Sequence, residues 1–212
     1  LRGLWYEALV LYLSSKFMFL LLVLLALVQG ITEFLPISSS GHLIILWESS
    51  EALGLANQQD LNKQAELVLD VAVHLGTLFA VMLYFWRDVF AMGRGGYNMA
   101  RGKVDQDSRL LVSVIIASIP LILVGFFLKD FITNHLRTAQ VIAWATILFG
   151  ILLWVSDRYM MQVRKTENLD WPDFISIGLF QILALIPGTS RSGITMTAGR
   201  FQGMERQEAA RF

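Results

Sequence analysis

Cysteine is absent from the 212 residues, which excludes disulfides and thiolate metal sites and leaves the redox compartment open. Charge is scarce as well: 16% of residues are Asp, Glu, Lys or Arg, where a soluble domain carries about 25%. The 17 basic and 17 acidic residues cancel, so no electrostatic argument points to nucleic acid or to an acidic partner. A cleavage pattern is also missing. Residues 17–28 follow Lys16 like a signal-peptide core, but they run into Gly30-Ile31-Thr32-Glu33 without a small-residue site and belong to the mature chain. What fills the sequence instead is apolar: 55% of residues are hydrophobic, and the mean hydropathy is +0.57. With so little charge, much of the surface must face lipid. The chain opens on Leu1 rather than Met, and 205–212 read as the start of a helix, so a fragment lacking part of its C-terminal half is expected.

Five apolar stretches stand out: Phe17–Thr32, Leu67–Trp86, Leu110–Leu128, Ala139–Val155 and Trp171–Pro187. Crossing about 30 Å of hydrocarbon takes roughly 20 apolar residues. The second and third stretches reach that length, the fourth and fifth sit at its lower limit, and the first must borrow from its flanks or stop partway. Leu4–Leu13, with Trp5, Tyr6 and Glu7, reads as an interfacial helix. Orientation follows from Lys and Arg in the connections. The Arg87–Arg109 segment holds five of them and is placed in the cytoplasm, whereas Glu48–Glu66 holds only Lys63 and is placed outside. Alternation then puts the segments after the first and fifth stretches toward the outer face. Arg94-Gly95-Gly96 reads as a loop unrelated to any phosphate-binding fingerprint, and Trp86, Trp154 and Trp171 read as interface anchors.

Those two outer segments carry the unusual chemistry. The first reads Glu33-Phe34-Leu35-Pro36-Ile37-Ser38-Ser39-Ser40-Gly41-His42, and the second Ile186-Pro187-Gly188-Thr189-Ser190-Arg191-Ser192-Gly193-Ile194-Thr195. Each follows an apolar helix, opens on an aliphatic-Pro pair, supplies clustered hydroxyls and closes on Gly. Three full spans separate them, an odd number, which is the sequence hint of an inverted-topology repeat with broken helices and a site at the repeat interface. Pro and Gly free backbone N–H groups that lipid cannot satisfy, so the loops must be buried in protein or line a wet cavity. Hydroxyls and freed N–H groups beside helix ends form an anion cradle. Glu33, His42 and Arg191 would be costly against lipid, at about 2.5 to 3.5 kcal/mol for a central Arg or acidic group, so a polar functional cavity is the simpler account.

Gln29-Gly30-Ile31-Thr32-Glu33-Phe34-Leu35-Pro36, running into Ser38-Ser39-Ser40-Gly41-His42 and followed by Pro187-Gly188-Thr189-Ser190-Arg191-Ser192-Gly193-Ile194-Thr195, resembles the bacterial undecaprenyl-diphosphate phosphatases of the bacitracin-resistance type. Their signatures have the forms Glu/Gln-x-x-x-Glu and Pro-Gly-x-Ser-Arg-Ser-x-x-Thr, and both are present in order. Position 29 is Gln where some relatives carry a second Glu. The likeness covers about residues 20–212, with His74-Leu75-Gly76-Thr77 and Phe85-Trp86-Arg87 also familiar. The resemblance implies removal of the terminal phosphate from a C55 polyprenyl diphosphate, which recycles the lipid carrier of cell-wall synthesis. It further implies re-entrant loops, an inverted repeat, a divalent cation (Mg2+ or Ca2+) and an active site facing the periplasm or cell exterior from the bacterial inner membrane. The expected fold is an all-α polytopic membrane bundle over 17–212, preceded by an extension or interfacial helix over 1–16. Expected partners are a lipid diphosphate and membrane lipid, with a second copy of the chain as a candidate and nucleic acid excluded.

Phosphoryl transfer needs charge neutralisation and an in-line nucleophile. Arg191 is expected to clamp the diphosphate with its planar fork, its ordinary alternative being a snorkelling side chain. Glu33 is expected to bind metal or orient water, with Gln29 one helical turn away on the same face. Ser39 and His42 are three apart: His42 could take a proton from Ser39 or from water, or attack phosphorus itself. Ser38, Ser40, Gly188, Ser190, Ser192 and Thr195 are expected to line the phosphate site, although Ser and Thr also cap helix ends anywhere. Asp70 and His74 share a face of the second span, as functional candidates or as a mutual structural pair. The main rival is a transporter or flippase of a phosphorylated polyprenyl lipid, which would use the same cradle without a nucleophile. A non-catalytic scaffold would leave the polar loops unexplained.

Overall fold

The computed structural model describes residues 18–52 and 63–212. The helix expected over Leu4–Leu13, and the 1–16 extension with it, lie outside the described residues. Among the described residues every regular element is helical: α1 (Met18–Thr32), then α2 (Ser39–Ala52), α3 (Lys63–Tyr84), α4 (Trp86–Ala100), α5 (Gln106–Phe131), α6 (Ala139–Tyr159), α7 (Trp171–Gln181), α8 (Arg191–Phe201) and α9 (Arg206–Arg211). Two short helical turns extend α5 through Ile132–Leu136 and α7 through Ile182–Leu185.

Three helices are long and apolar enough to cross a membrane: Gln64–Tyr84, Gln106–Leu136 and Ala139–Tyr159. Only 6%, 11% and 17% of their apolar windows are covered by the rest of the chain, and Phe126 and Phe127 on α5 are each 79% exposed. A helix this apolar and this uncovered requires lipid as its solvent. The chain is a membrane protein.

The fourth stretch, expected to be marginal, is a full-length helix. It continues past Val155 because Asp157 near its C-terminal end is neutralised by Arg206, whose Nε and terminal nitrogen donate to the two carboxylate oxygens at 2.7 and 2.8 Å. The fifth stretch does not form one regular helix. α7 tightens after Gln181 and stops at Ile186, which Pro187 forces into an extended conformation (ψ 116°). Among the described residues, α1 and the Trp171–Leu185 helix are shorter apolar helices than the three spans.

The basic Arg87–Arg109 connection is largely helix rather than loop. Its Arg94-Gly95-Gly96 triplet lies inside α4. Gly95 lets α4 touch the start of α5, since a Cβ there would sit 2.5 Å from the Asp107 carbonyl. The contact is sealed by the Ser108 hydroxyl donating to the Gly95 carbonyl (3.0 Å) and by Arg94 donating to Asp107 (2.6 Å). Asp105 caps α5 by accepting the Ser108 N–H at 2.8 Å. That bond, then the Ser108 hydroxyl and the Asn98 amide, hold its carboxyl down to about 2.

α7 and α8 form a helical hairpin whose two ends are tied together by Arg164. Its guanidinium donates to Asp173 at the start of α7 (2.7 Å) and to the Gln202 carbonyl just past α8 (3.1 Å). Buried Arg200, only 2% exposed, fastens the same end to α6 by pairing with Asp157 at 3.3 Å. An apolar cluster of Ala117, Leu169, Phe174, Ile177, Ala198, Met204 and Ala209 packs this hairpin onto α5 and α9. A second cluster, Leu21, Leu25, Leu43 and Trp47, joins α1 to α2, with Leu69 and Val73 of α3 against it.

Candidate functional site

The loops joining α1 to α2 and α7 to α8 have the same backbone solution. Ser38 and Ser190 both adopt positive φ (67° and 61°). Each lies one residue before a helix, accepts the N–H of the glycine three residues on (Gly41 at 3.3 Å, Gly193 at 3.2 Å), and contacts the hydroxyl two residues on (Ser40 at 3.4 Å, Ser192 at 3.1 Å). The Ser-x-Ser-Gly element at each tip therefore starts a helix in the same way twice, and the N-termini of α2 and α8 both open there.

The tips meet. Ser192 donates to the Leu35 carbonyl at 3.4 Å, and a Cβ on Gly193 would lie 3.4 Å from Pro36. Both tips also abut Ile142 in the first turn of α6: a Cβ on Gly41 would lie 3.1 Å from its side chain, and one on Gly188 would lie 2.5 Å from its carbonyl oxygen. Gly188 (φ 98°) accepts the Thr146 hydroxyl at 3.1 Å. The α7–α8 tip thus reaches the N-terminal part of α6, while its open end sits at the C-terminal part beside Asp157. Thr146 and Asp157 are about 16 Å apart along a helix that rises 1.5 Å per residue.

Glu33, at the end of α1, is the hub of the first tip. Its Oε2 accepts the Ser39 hydroxyl at 2.5 Å and the Gln29 amide at 3.0 Å, so the expected one-turn pairing of Gln29 with Glu33 is present. Gln29 also reaches Thr77 of α3 at 3.4 Å. His42 uses Nδ1 to donate to the Ser38 carbonyl (2.8 Å), since a carbonyl can only accept, so in the neutral ring the lone pair is on Nε2. Arg191 is exposed in the first turn of α8. Among the described residues, no hydrogen bond or ion pair occupies its guanidinium. Thr195 lies one turn into α8, and its hydroxyl donates to the Arg191 carbonyl at 2.9 Å.

Asp70 and His74 do not pair through their side chains. The Asp70 carboxylate accepts from Trp47 at 2.9 Å and faces Arg137 at 3.7 Å. His74 donates through Nδ1 to the Asp70 backbone carbonyl (2.6 Å) and turns Nε2 toward Glu33 Oε2 at 3.9 Å. His74 therefore belongs with the hub. The sequence signal was the Asp70/His74 face of α3, but what that face meets depends on how α3 docks against α1. Two buried oxygens near the tips lack partners among the described residues: Gln29 Oε1 and Thr189 Oγ1.

This arrangement joins two positive helix ends, clustered hydroxyls and a free guanidinium to a hydroxyl already bonded to a carboxylate. It can hold a polyanion and present a nucleophile to it. The profile of the bacitracin resistance protein BacA family matches residues 22–212. Among curated proteins, the chain is 49% identical over 195 residues to undecaprenyl-diphosphatase 2 of Stutzerimonas stutzeri (strain A1501). It is 48% identical over 193 residues to undecaprenyl-diphosphatase 1 of Pseudoalteromonas translucida (strain TAC 125), and 46% identical over 192 residues to an undecaprenyl-diphosphatase of Alteromonas mediterranea. Each alignment covers 90% of this chain and 68% of the relative.

Proposed function

The chain belongs to the bacitracin resistance protein BacA family, and from that premise we propose that it hydrolyses undecaprenyl diphosphate to undecaprenyl phosphate and inorganic phosphate. The observation that carries the reading at the level of chemistry is the Ser39–Glu33 bond at the junction of two hydroxyl-lined tips. A purely binding cradle has no use for a hydroxyl poised on a carboxylate.

The diphosphate lies against the N-termini of α2 and α8, where first-turn N–H groups, the Ser40 and Ser192 hydroxyls and the Arg191 fork neutralise its charge. Ser39 Oγ attacks the terminal phosphorus while Glu33 takes its proton. The bond to the bridging oxygen breaks, and undecaprenyl phosphate leaves with that oxygen. Water then cleaves the serine phosphate, with His42 Nε2 placed to accept the water proton, and Ser39 is restored. Ser38 and Ser190 shape the tips through their caps rather than touching phosphate, because both are buried and bonded to glycine N–H groups.

Glu33 and Gln29 are the residues that would hold a divalent cation: the carboxylate would supply the charge, and the buried Gln29 amide, whose oxygen lacks a partner among the described residues, is bonded to it through its nitrogen. When bound there, Mg2+ or a similar ion supplies charge neutralisation on the phosphate oxygens. Orientation follows the charge. The tips lie toward the N-terminal end of α6, while Arg158, Arg164 and Lys165 cluster at and after its C-terminal end, which supports a site opening to the outer face of the inner membrane. The repeated caps and the hairpin closed at one end by Arg164 support a pair of re-entrant, inversely related segments.

The test uses detergent-purified full-length protein with Mg2+ and undecaprenyl diphosphate, reading released phosphate and trapping phosphoenzyme in acid. Arg191→Ala and Glu33→Ala should each abolish release while the thermal melt is retained, and Ser39→Ala should abolish the trapped phosphate. Robust turnover by the Arg191 and Glu33 variants would favour a lipid transporter instead. Full trapping in Ser39→Ala would move the nucleophile elsewhere.

A further inference from the structure

We propose that the outward face of α4 binds anionic phospholipid headgroups in the leaflet where α3 ends, at a distance from the tips. The inference stands apart from the phosphatase reading, since none of its residues belongs to the candidate site.

α4 has two faces of opposite character. Arg87, Arg94 and Arg101 recur every seven residues, close to two full turns of an α-helix, so they form one stripe. Trp86, Phe90 and Tyr97 lie alongside them on the same side of the helix, and all six are exposed. The opposite face is closed. Gly95 is buried against the start of α5, and Asp88, the only acid in α4, accepts from Arg211 of α9 at 2.6 Å. The outward face therefore carries cations and aromatics without a carboxylate of its own.

Two of the three charges are free. Arg94 is neutralised by Asp107 at 2.6 Å. Arg87 and Arg101 each stack on an aromatic neighbour, with the guanidinium carbon 5.5 Å from the ring centre of Trp86 and of Tyr97 respectively. Arg101 also donates to the Tyr97 hydroxyl at 3.2 Å. Among the described residues, neither arginine meets a carboxylate. Stacking uses the flat face of a guanidinium and leaves N–H groups at its edge for an oxyanion.

Position selects the partner. α3 is long and apolar enough to span the membrane as far as Tyr84, and α4 begins two residues later at Trp86, which holds it at the membrane surface. The Asp88–Arg211 bond sets it beside α9, at the end of the bundle where Arg206 meets Asp157, away from the tips at the other end of α6. Trp and Tyr settle at headgroup depth, and basic side chains next to a span are drawn to anionic lipid. A soluble acidic protein would have to displace lipid from those aromatics first. Orientation by basic residues requires only that they lie on one side of the membrane, so a shared helical face is a further feature.

The experiment holds the full-length protein in neutral detergent, without substrate, and titrates it with phosphatidylglycerol or with phosphatidylcholine, reading bound lipid by native mass spectrometry. Wild type should take phosphatidylglycerol in preference. Arg87→Gln and Arg101→Gln should each weaken phosphatidylglycerol about fivefold, the worth of one arginine near an anionic surface, and leave phosphatidylcholine within about twofold. Arg158→Gln removes an exposed arginine from the same end of the bundle outside α4, and it should change neither. Equal binding of the two lipids by the wild type would overturn the proposal whatever the variants do, as would a fivefold loss in Arg158→Gln. A preference for phosphatidylglycerol in a protein that releases no phosphate would count against the phosphatase reading and leave this one standing.

Discussion

Gly188→Ala tests whether the two tips must be seated against α6 to within an ångström. At φ 98° a side chain is strained from the outset, at about 1 to 2 kcal/mol by the cost of left-handed backbone. The added Cβ would also stand 2.5 Å from the Ile142 carbonyl oxygen and 2.9 Å from its Cα, where ordinary contact begins at 3.4 Å. The obstacle is backbone in a membrane-spanning helix, so the tip must retreat by about 0.9 Å, and the 3.1 Å bond from Thr146 to the Gly188 carbonyl stretches with it. A displacement of that size at a site built on positioning costs on the order of 100-fold in rate. Overpacking takes a further 1 to 3 kcal/mol from stability. Phosphate release by the full-length variant should therefore fall about 100-fold in kcat, with a lowered melting temperature. Gly150→Ala is the control, since nothing lies within 4 Å of a Cβ there, and it should behave as wild type. A Gly188→Ala protein with normal kcat and normal melting would mean that the tip is not clamped to α6, and the shared site would lose its footing.

Two predictions concern the junction of α4 and α5, in the basic Arg87–Arg109 segment. Asp105 has a carboxyl pulled down to about 2 by its bonds to Ser108 and Asn98, below the ordinary unfolded value of about 3.9. Its contribution is complete above the unfolded value and is lost as pH falls toward 2, so Asp105→Asn should flatten the acid limb of thermal stability between about pH 4 and 2; an unchanged limb would refute the cap. Gly95→Leu should separate α4 from α5, because even a Cβ would stand 2.5 Å from backbone. The expected loss is about 1 to 3 kcal/mol in denaturant titration, and none would mean that the two helices do not touch as described.

The tips were legible because their chemistry is local. A serine at positive φ, a second hydroxyl two residues on and a glycine three residues on is a pattern confined to four positions, and it appears at Ser38–Gly41 and Ser190–Gly193. The Gln29–Glu33 pairing was legible for the same reason, as it follows from one helical turn. What escaped depends on docking. Gly95 reads as a loop residue from composition, yet it sits in a helix because α5 fills the space a side chain would take. The end of α6 reads as Val155 because charge begins there, but the Asp157 carboxylate is neutralised by arginines 43 and 49 positions away. His74 reads as a functional candidate or as a partner for Asp70, its neighbour on the helix, and it turns Nε2 to Glu33, outside its own helix, rather than to the Asp70 carboxylate.

These misses share a cause that bears on the site itself. In a chain where lipid accepts apolar side chains on any exposed face, hydrophobic pattern says little about which faces meet. At the tips the buried residues include polar ones, Gln29, Ser38, Thr189 and Ser190, while apolar Phe126 and Phe127 on α5 are exposed. The tips are held by backbone caps, glycine contacts and hydroxyl bonds, each with a geometric tolerance well under an ångström. Substitutions that preserve hydropathy at the tips should therefore damage the site more than polar-to-apolar changes on the outer faces of α5 and α6.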